Sequence, residues 1–354
     1  MNNDLIKTFF EIVKIDSPSG NEDAISKYIV NTLTKVGYKC KRDEYGNITL
    51  STSGIGLPLL LSAHLDTVEP GRNIEPIIEN GIIRSKGKTI LGADNKVAVA
   101  VFLQILKDLK TKNIPHRPLD IVFTVFEETT SLGVSKLNYS DISAREGYIF
   151  DNANPVGTII TASPFYYRFD ILIKGKFAHS SKVEEGVNVL LILKDALKKV
   201  KLGKVSKKTR VNIGVINSGY VRNSIPGEMK LLGEVRSFSN TEAKKYLKKL
   251  EEAFALSAKK HGGKIGLVFV IENYGYEYSK KNKFLKDTIE TIKKINLEPL
   301  IKTSFGCSDA NVFNKKGIHV LDLGDGTMDA HTTEEKISVG SLLKLKDLVF
   351  ELIV

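Results

Sequence analysis

Apolar and polar positions alternate in two styles along this chain. Near the start, LIKTFFEIVKI (5–15) spaces its apolar residues as an amphipathic helix does, and beyond the SPSG turn Ser19 and Glu22 read as the capping pair of a second. Short strand patterns follow at YKCKRD and NITLS, then an unbroken apolar run, LPLLLSA (57–63), bounded by Gly and Pro on one side and by charge on the other. Such a run, without polar alternation, predicts a strand buried on both faces. NKVAVAVFLQILKDLK (95–110) reads as a largely apolar helix, LDIVFTVF (119–126) as another buried strand and GYIF (147–150) as a third. Buried strands separated by helices predict an α/β sheet covered on both sides.

The style changes near residue 165. FYYRFDILIKGK alternates like a half-exposed antiparallel strand, a helix follows in EEGVNVLLILKDALKKV, then the strands RVNIGVINSG and EMKLLGEVRSF, the helix TEAKKYLKKLEEAFALSAKK and the strand KIGLVFVIE. Strand-helix-strand-strand-helix-strand is the order of a ferredoxin-like α+β unit. After residue 271 the first style resumes with the helix KNKFLKDTIETIKKI, the strand IHVLDL and a last helix from Val339. The pattern therefore predicts a larger domain made of residues 1–164 and 271–354, with a smaller one of residues 165–270 inserted into it.

Composition narrows the class. With 354 residues, 42% hydrophobic and 26% charged, the chain has ample material for folded cores, and no low-complexity tract argues for disorder. No stretch reaches the roughly 20 apolar residues of a membrane helix, and the N-terminus lacks the basic and apolar regions of a signal peptide, so a cytoplasmic protein is expected. Cys40 and Cys307 form no metal-type spacing and are expected to be reduced thiols without an assigned role. The formal charge of +11 comes from lysines, notably in 194–210 and 244–250. Neither stretch interleaves aromatics, and no zinc-finger or helix-turn-helix spacing occurs, so a nucleic-acid partner is not expected.

The candidate chemistry lies where acidic and histidine residues meet the predicted strand ends. His64 and Asp66 follow the LLLSA strand, Glu127 and Glu128 follow DIVFTVF, and Asp151 follows GYIF. Asp94 precedes a helix in LGADN, and His331 lies in the loop after IHVLDL. Ligands of α/β sheets bind beyond the carboxyl ends of the strands, the edge to which these residues are delivered. Imidazole and carboxylate ligands suit Zn²⁺, Co²⁺ or Mn²⁺, and a shared carboxylate can bridge two such ions. His116, His261 and His319 match no pattern and read as structural or surface residues. Glu334 and Glu335 read as acidic residues favouring a helix start.

The segments SAHLDTVEPG, LGADNKVAVA, FEET, IFDN, IKGKFAHSS and MDAHTTEEKI resemble, in order, the two-metal exopeptidase family of tripeptide aminopeptidase (peptidase T), glutamate carboxypeptidase and aminoacylase. LGADNK and the HTTEEKI ending look most like the peptidase T-like branch. The resemblance implies a metal domain with a central mixed sheet flanked by helices, and makes the inserted unit a lid and dimerisation domain. It implies that His64, Asp94 and Asp151 hold one ion and that Asp94, Glu128 and His331 hold the other. Glu127 would be the general base, and Asp66 the carboxylate that fixes the orientation of His64. In the lid, His179 would stabilise the oxyanion, with Asn223 and Arg236 contacting substrate. Thr130 stands where the family places a glycine, while Gly133 is retained, and the role of Cys307 in SFGCSDAN stays open. The activity implied is release of the N-terminal residue of tripeptides with two ions, Zn²⁺ first and Co²⁺ or Mn²⁺ next. A carboxypeptidase, dipeptidase or N-acyl amino acid deacylase on the same machinery is the alternative, and a catalytically silent binding protein a remote one. A short peptide is the expected partner, with a homodimer allowed through the lid and neither nucleic acid nor membrane.

Overall fold

The computed structural model describes residues 2–354, apart from the side chains of Asn2, Asn3 and Thr130. Its contacts divide the chain into two units. The first takes residues up to Thr161 together with Tyr278–Thr303 and Ser308–Val354, and the second takes Ala162–Glu277 and Ser304–Cys307. The divisions expected at 164/165 and 270/271 thus fall at 161/162 and 277/278. The segment 304–307 also joins the second unit, because Ser304 N donates to Ala162 O, Ser163 Oγ to Gly306 O and Arg236 Nη1 to Phe305 O.

The first unit is built on a mixed sheet. Four of its strands run parallel, side by side in the order Leu119–Thr124, Leu59–His64, Glu146–Asn152 and His319–Gly324. Strands 48–52 and 158–163 flank them antiparallel. Leu59–His64 and Leu119–Thr124 are buried along their whole length, as an apolar run without alternation requires. The helix Ala93–Lys112 covers the sheet, its Phe102 ring meeting Phe123 at 6.2 Å and Phe150 at 5.9 Å. Helices Asn2–Val13, Asp23–Val36 and Val339–Ile353 pack on its outer side, which is why that helix is buried nearly all round. A smaller antiparallel sheet, in the order 327–328, 336–338, 82–85 and 76–79, had no signature in the sequence pattern, its strands being two to four residues long.

The second unit is ferredoxin-like. Its four long strands lie in the order 209–218, 228–237, 165–174 and 264–273, each antiparallel to its neighbour, with the short Gly203–Lys204 beside the first. Phe169, Ile171 and Ile173 alternate inward from the third of these, against Val189 and Ile192 of the helix Val189–Leu197 and Leu250 and Phe254 of the helix Asn240–His261. This unit carries 22 of the 52 basic and 11 of the 41 acidic residues. The entire formal charge of +11 therefore resides on it, and the first unit balances at 30 against 30. No helix among the described residues is long and apolar enough to cross a membrane.

Candidate metal centre

The parallel strands all finish at one edge of the sheet, and the chain leaves each end carrying a ligand-type side chain. His64 is the last residue of its strand and is buried. Its Nδ1 lies 2.9 Å from the carbonyl oxygen of Asp66. A carbonyl can only accept, so Nδ1 carries a proton and Nε2 is the atom turned into the site. It faces Asp151 Oδ1 at 3.1 Å and Asp94 Oδ1 at 3.2 Å. Two carboxylates turned toward one imidazole nitrogen in a buried place call for positive charge between them, supplied by a proton on Nε2 or by a metal ion in its place.

Asp94 repeats this arrangement on its other side. Its Oδ2 is 3.2 Å from His331 Nε2, which is in turn 3.1 Å from Glu128 Oε1. The buried Glu128 Oε1 has no hydrogen-bond partner of good geometry despite that short distance, which leaves it open to a cation. Ligand atoms of His64, Asp94 and Glu128, and again of His64, Glu127 and Asp151, lie within 4.8 Å of one another. Nitrogen and carboxylate oxygen donors at this density, arranged about one carboxylate with an oxygen on each side, fit two divalent cations.

Local folding explains why these side chains stay in place. Beyond the strand Leu119–Thr124, Phe126 adopts a left-handed backbone (φ 56), which turns the chain sharply into the one-turn helix Glu127–Thr130. Three N–H groups at the start of that turn are claimed: Phe126 N donates to Glu22 Oε1 at 3.1 Å, Glu127 N to Asp66 Oδ1 at 3.0 Å and Glu128 N to Asp66 Oδ2 at 3.1 Å. Gly133 closes the turn, since a β-carbon there would stand 2.2 Å from Val125 O. Asp66 therefore has two duties. Its main chain orients His64 as just described, and its carboxylate, 3.5 Å from His64 Nδ1, chiefly holds the Glu127–Glu128 turn. Ser19 donates to the same carboxylate at 2.6 Å. The expected capping pair of Ser19 and Glu22 is thus not formed, because both side chains are drawn into the site and the helix Asp23–Val36 has no side-chain cap.

The electrostatics follow from burial and crowding. Burial pushes Glu127 well above the usual carboxylate range, and Asp151 beside it pushes in the same direction. Glu128 is raised by burial too, with His331 opposing. For His64 burial works downward, but Asp151 and then Asp66 and Asp94 outweigh it and hold the imidazole well above its ordinary value. Burial would likewise raise Asp94, yet its hydrogen bonds to His331 and His64 bring it down. Asp94 and Glu128 raise His331 to about 10.

The structure also brings in residues the sequence did not single out. Asn95 donates through Nδ2 to Asp151 Oδ1 at 2.6 Å and to Phe150 O at 2.8 Å. Asp151 N donates to Asp322 Oδ1 at 3.1 Å. Buried Asp309 accepts from Thr124 Oγ1 at 2.6 Å, and burial raises it to about 7. Glu335, read from sequence as a residue favouring the start of the last helix, is buried and serves instead the start of the helix Ala93–Lys112. Its carboxylate accepts from Gly92 N at 2.7 Å and Asp94 N at 3.0 Å, while Glu334 stays exposed.

The remaining candidates lie in the second unit. His179, exposed in a short strand, pairs with Ser224 and has its Nε2 3.4 Å from Asn223 Nδ2. Arg236 stacks over Tyr166 at 4.4 Å and gives its fork to Glu234, through Nε at 3.1 Å and Nη2 at 3.2 Å. The guanidinium of this expected substrate contact is therefore engaged by a neighbour on its own strand. Cys307 Sγ donates to Pro164 O at 3.7 Å.

Comparison with known proteins agrees with this geometry. The family model described as peptidase family M20/M25/M40 matches residues 60–354. The uncharacterised Bacillus subtilis protein YqjE is 31% identical, over 99% of this chain and 97% of its own. Among solved structures, aminopeptidase PepT from Bacillus cereus superposes with a TM-score of 0.94 at 32% identity, covering 100% of this chain and 98% of that one. A tripeptidase from Staphylococcus aureus gives 0.97 at 33%, with the same coverage.

Proposed function

The chain belongs to peptidase family M20/M25/M40, and from its peptidase T-like build we propose that it releases the N-terminal residue of tripeptides with the help of two zinc ions. The observation that carries this reading is the pair of convergences about Asp94: His64 and Asp151 on one side, His331 and Glu128 on the other. His64, Asp94 and Asp151 would hold the first ion, and Asp94, Glu128 and His331 the second, with Co²⁺ or Mn²⁺ as substitutes. Two such ions supply Lewis acidity to the scissile carbonyl and to the attacking water.

Glu127 is the general base in this reading. Its ligand-type oxygen falls within 4.8 Å of those of His64 and Asp151, and its raised affinity for protons suits a group that takes a proton from water and returns it to the leaving amine. Asp66 keeps Glu127 in place through the backbone N–H and keeps His64 in its tautomer. His179, with Asn223 beside it, is the candidate oxyanion partner, and the second unit is the candidate lid and dimerisation domain. Arg236 is a candidate substrate contact through the N–H groups that Glu234 and Phe305 leave unused. The cytoplasm is the proposed compartment.

A panel of free tripeptides, dipeptides, N-blocked and C-amidated peptides and N-acyl amino acids, followed by mass spectrometry with and without chelator, tests the reading. Metal-dependent loss of the N-terminal residue from Ala-Ala-Ala is expected, and Glu127→Ala should abolish it. Turnover confined to N-acyl amino acids or dipeptides would move the substrate assignment while keeping the chemistry. Bound metal without turnover of any member would mean that the substrate class is wrong, and a purified protein that holds no metal would revive the silent binding protein.

A further inference from the structure

We propose that Glu335 is a positioning residue for the His331 metal position, tying the loop that carries His331 to the backbone that carries Asp94. The inference rests on the two-metal reading above.

The helix Ala93–Lys112 begins without a cap of its own. Gly92 stands at the N-cap in a left-handed conformation (φ 68) and has no side chain to offer. Helix starts leave N–H groups without partners, and here these are met from far along the sequence by Glu335. Its Oε2 accepts from Gly92 N at 2.7 Å and its Oε1 from Asp94 N at 3.0 Å. Glu335 is only 1% exposed, so these bonds are shielded from competing water.

On its other side Glu335 closes the His331 loop. Its own N–H donates to Thr332 O at 3.1 Å, Thr332 Oγ1 donates to Asp329 O at 2.7 Å, and Lys336 Nζ reaches Asp329 Oδ2 at 2.7 Å. Lys336–Ser338 then pairs with Ile82–Ser85. His331 rides on this small closed turn, half exposed and with φ 64, so packing contributes little to its placement. The distance from its Nε2 to Asp94 is instead set through Glu335, which grips the Asp94 backbone directly.

The chemistry of the grip gives a sharp variant. Both Glu335 oxygens accept from N–H groups, so an amide in their place must turn its NH₂ toward either Gly92 N–H or Asp94 N–H. Glu335→Gln thus keeps the volume and breaks the grip. Glu335→Asp keeps both acceptors and withdraws them by one methylene.

Zinc titration into chelator-treated protein, by calorimetry and by competition with a chromophoric chelator, reads the two positions separately. For wild type and for Glu334→Gln, whose side chain is exposed, two sites are expected. Glu335→Gln and Glu335→Asp should keep one site at wild-type affinity and weaken the other by about 10- to 100-fold. Wild-type isotherms in both Glu335 variants would overturn the proposal, and so would equal weakening of both sites or loss of folding in both variants, which would make Glu335 a general structural residue. Uptake of fewer than two ions by the wild type would instead remove the two-metal reading itself.

Discussion

His64 and His331 each bring Nε2 to within 3.2 Å of one oxygen of Asp94, yet the two are held in opposite ways. The His64 side chain is 2% exposed, fixed by the end of a buried strand and by the Asp66 carbonyl. The His331 side chain is 50% exposed and sits on a loop braced by its own hydrogen bonds and by Glu335. One half of the site is thus part of the core, and the other is attached to it. Geometry alone makes the two positions look equivalent; burial shows that they should differ in tightness, in tolerance to mutation and in what happens to the fold when they are lost.

The largest expected contrast is between alanine variants. His64→Ala leaves the buried Asp66 carboxylate without its imidazole neighbour and removes the shared partner of Asp94 and Asp151. A stability loss of about 3–5 kcal/mol is expected, together with loss of both ions. His331→Ala should cost under about 1 kcal/mol in chelator-treated protein, because its surroundings are solvated, and should remove one ion only. Comparable losses in denaturant melts would break the distinction. A narrower test uses Asn95→Leu, which takes the donor away from Asp151 and Phe150 O. Affinity at the His64 position should fall about 10- to 100-fold while the His331 position is unchanged. The smallest effect is one of pH. His331 is raised from 6.5 to about 10 by Asp94 and Glu128, so its contribution to stability is complete below pH 6.5 and is lost as pH rises through about 10. In chelator-treated protein the Tm gap between wild type and His331→Gln should be full at pH 6 and close toward pH 10. A gap that widens with pH would contradict the assigned protonation.

Much of this was legible in the sequence because the relevant signals are local. Unbroken apolar runs ending in His64, Glu127 and Asp151 announced the parallel strands and the one edge at which these side chains gather. The ferredoxin-like order of the second unit was readable from its alternating strands. What could not be read is what depends on partners remote in the chain. Ser19 and Glu22 carry a capping signature, but left-handed Phe126 and the Asp66 carboxylate compete for them and win. Glu335 and Asn95 look like ordinary polar residues until the fold places an uncapped helix start beside one and the Asp151 carboxylate beside the other. Arg236 had a free fork only as long as Glu234, two residues away, was not seen to point the same way along its strand. The one sequence signal of Glu335 and Asn95 was a place inside motifs already singled out, HTTEEKI and LGADNK.

The uneven division of charge has a consequence for the protein in concentrated solution. Mutual repulsion between copies keeps a protein dispersed, and here it originates in about a third of the chain, since the first unit is balanced. In colloidal terms the molecule is a patchy particle whose dispersing charge is mostly lysine. Salt that screens this patch, a polyanion that covers it, or alkali that discharges it would leave surfaces with little left to hold them apart.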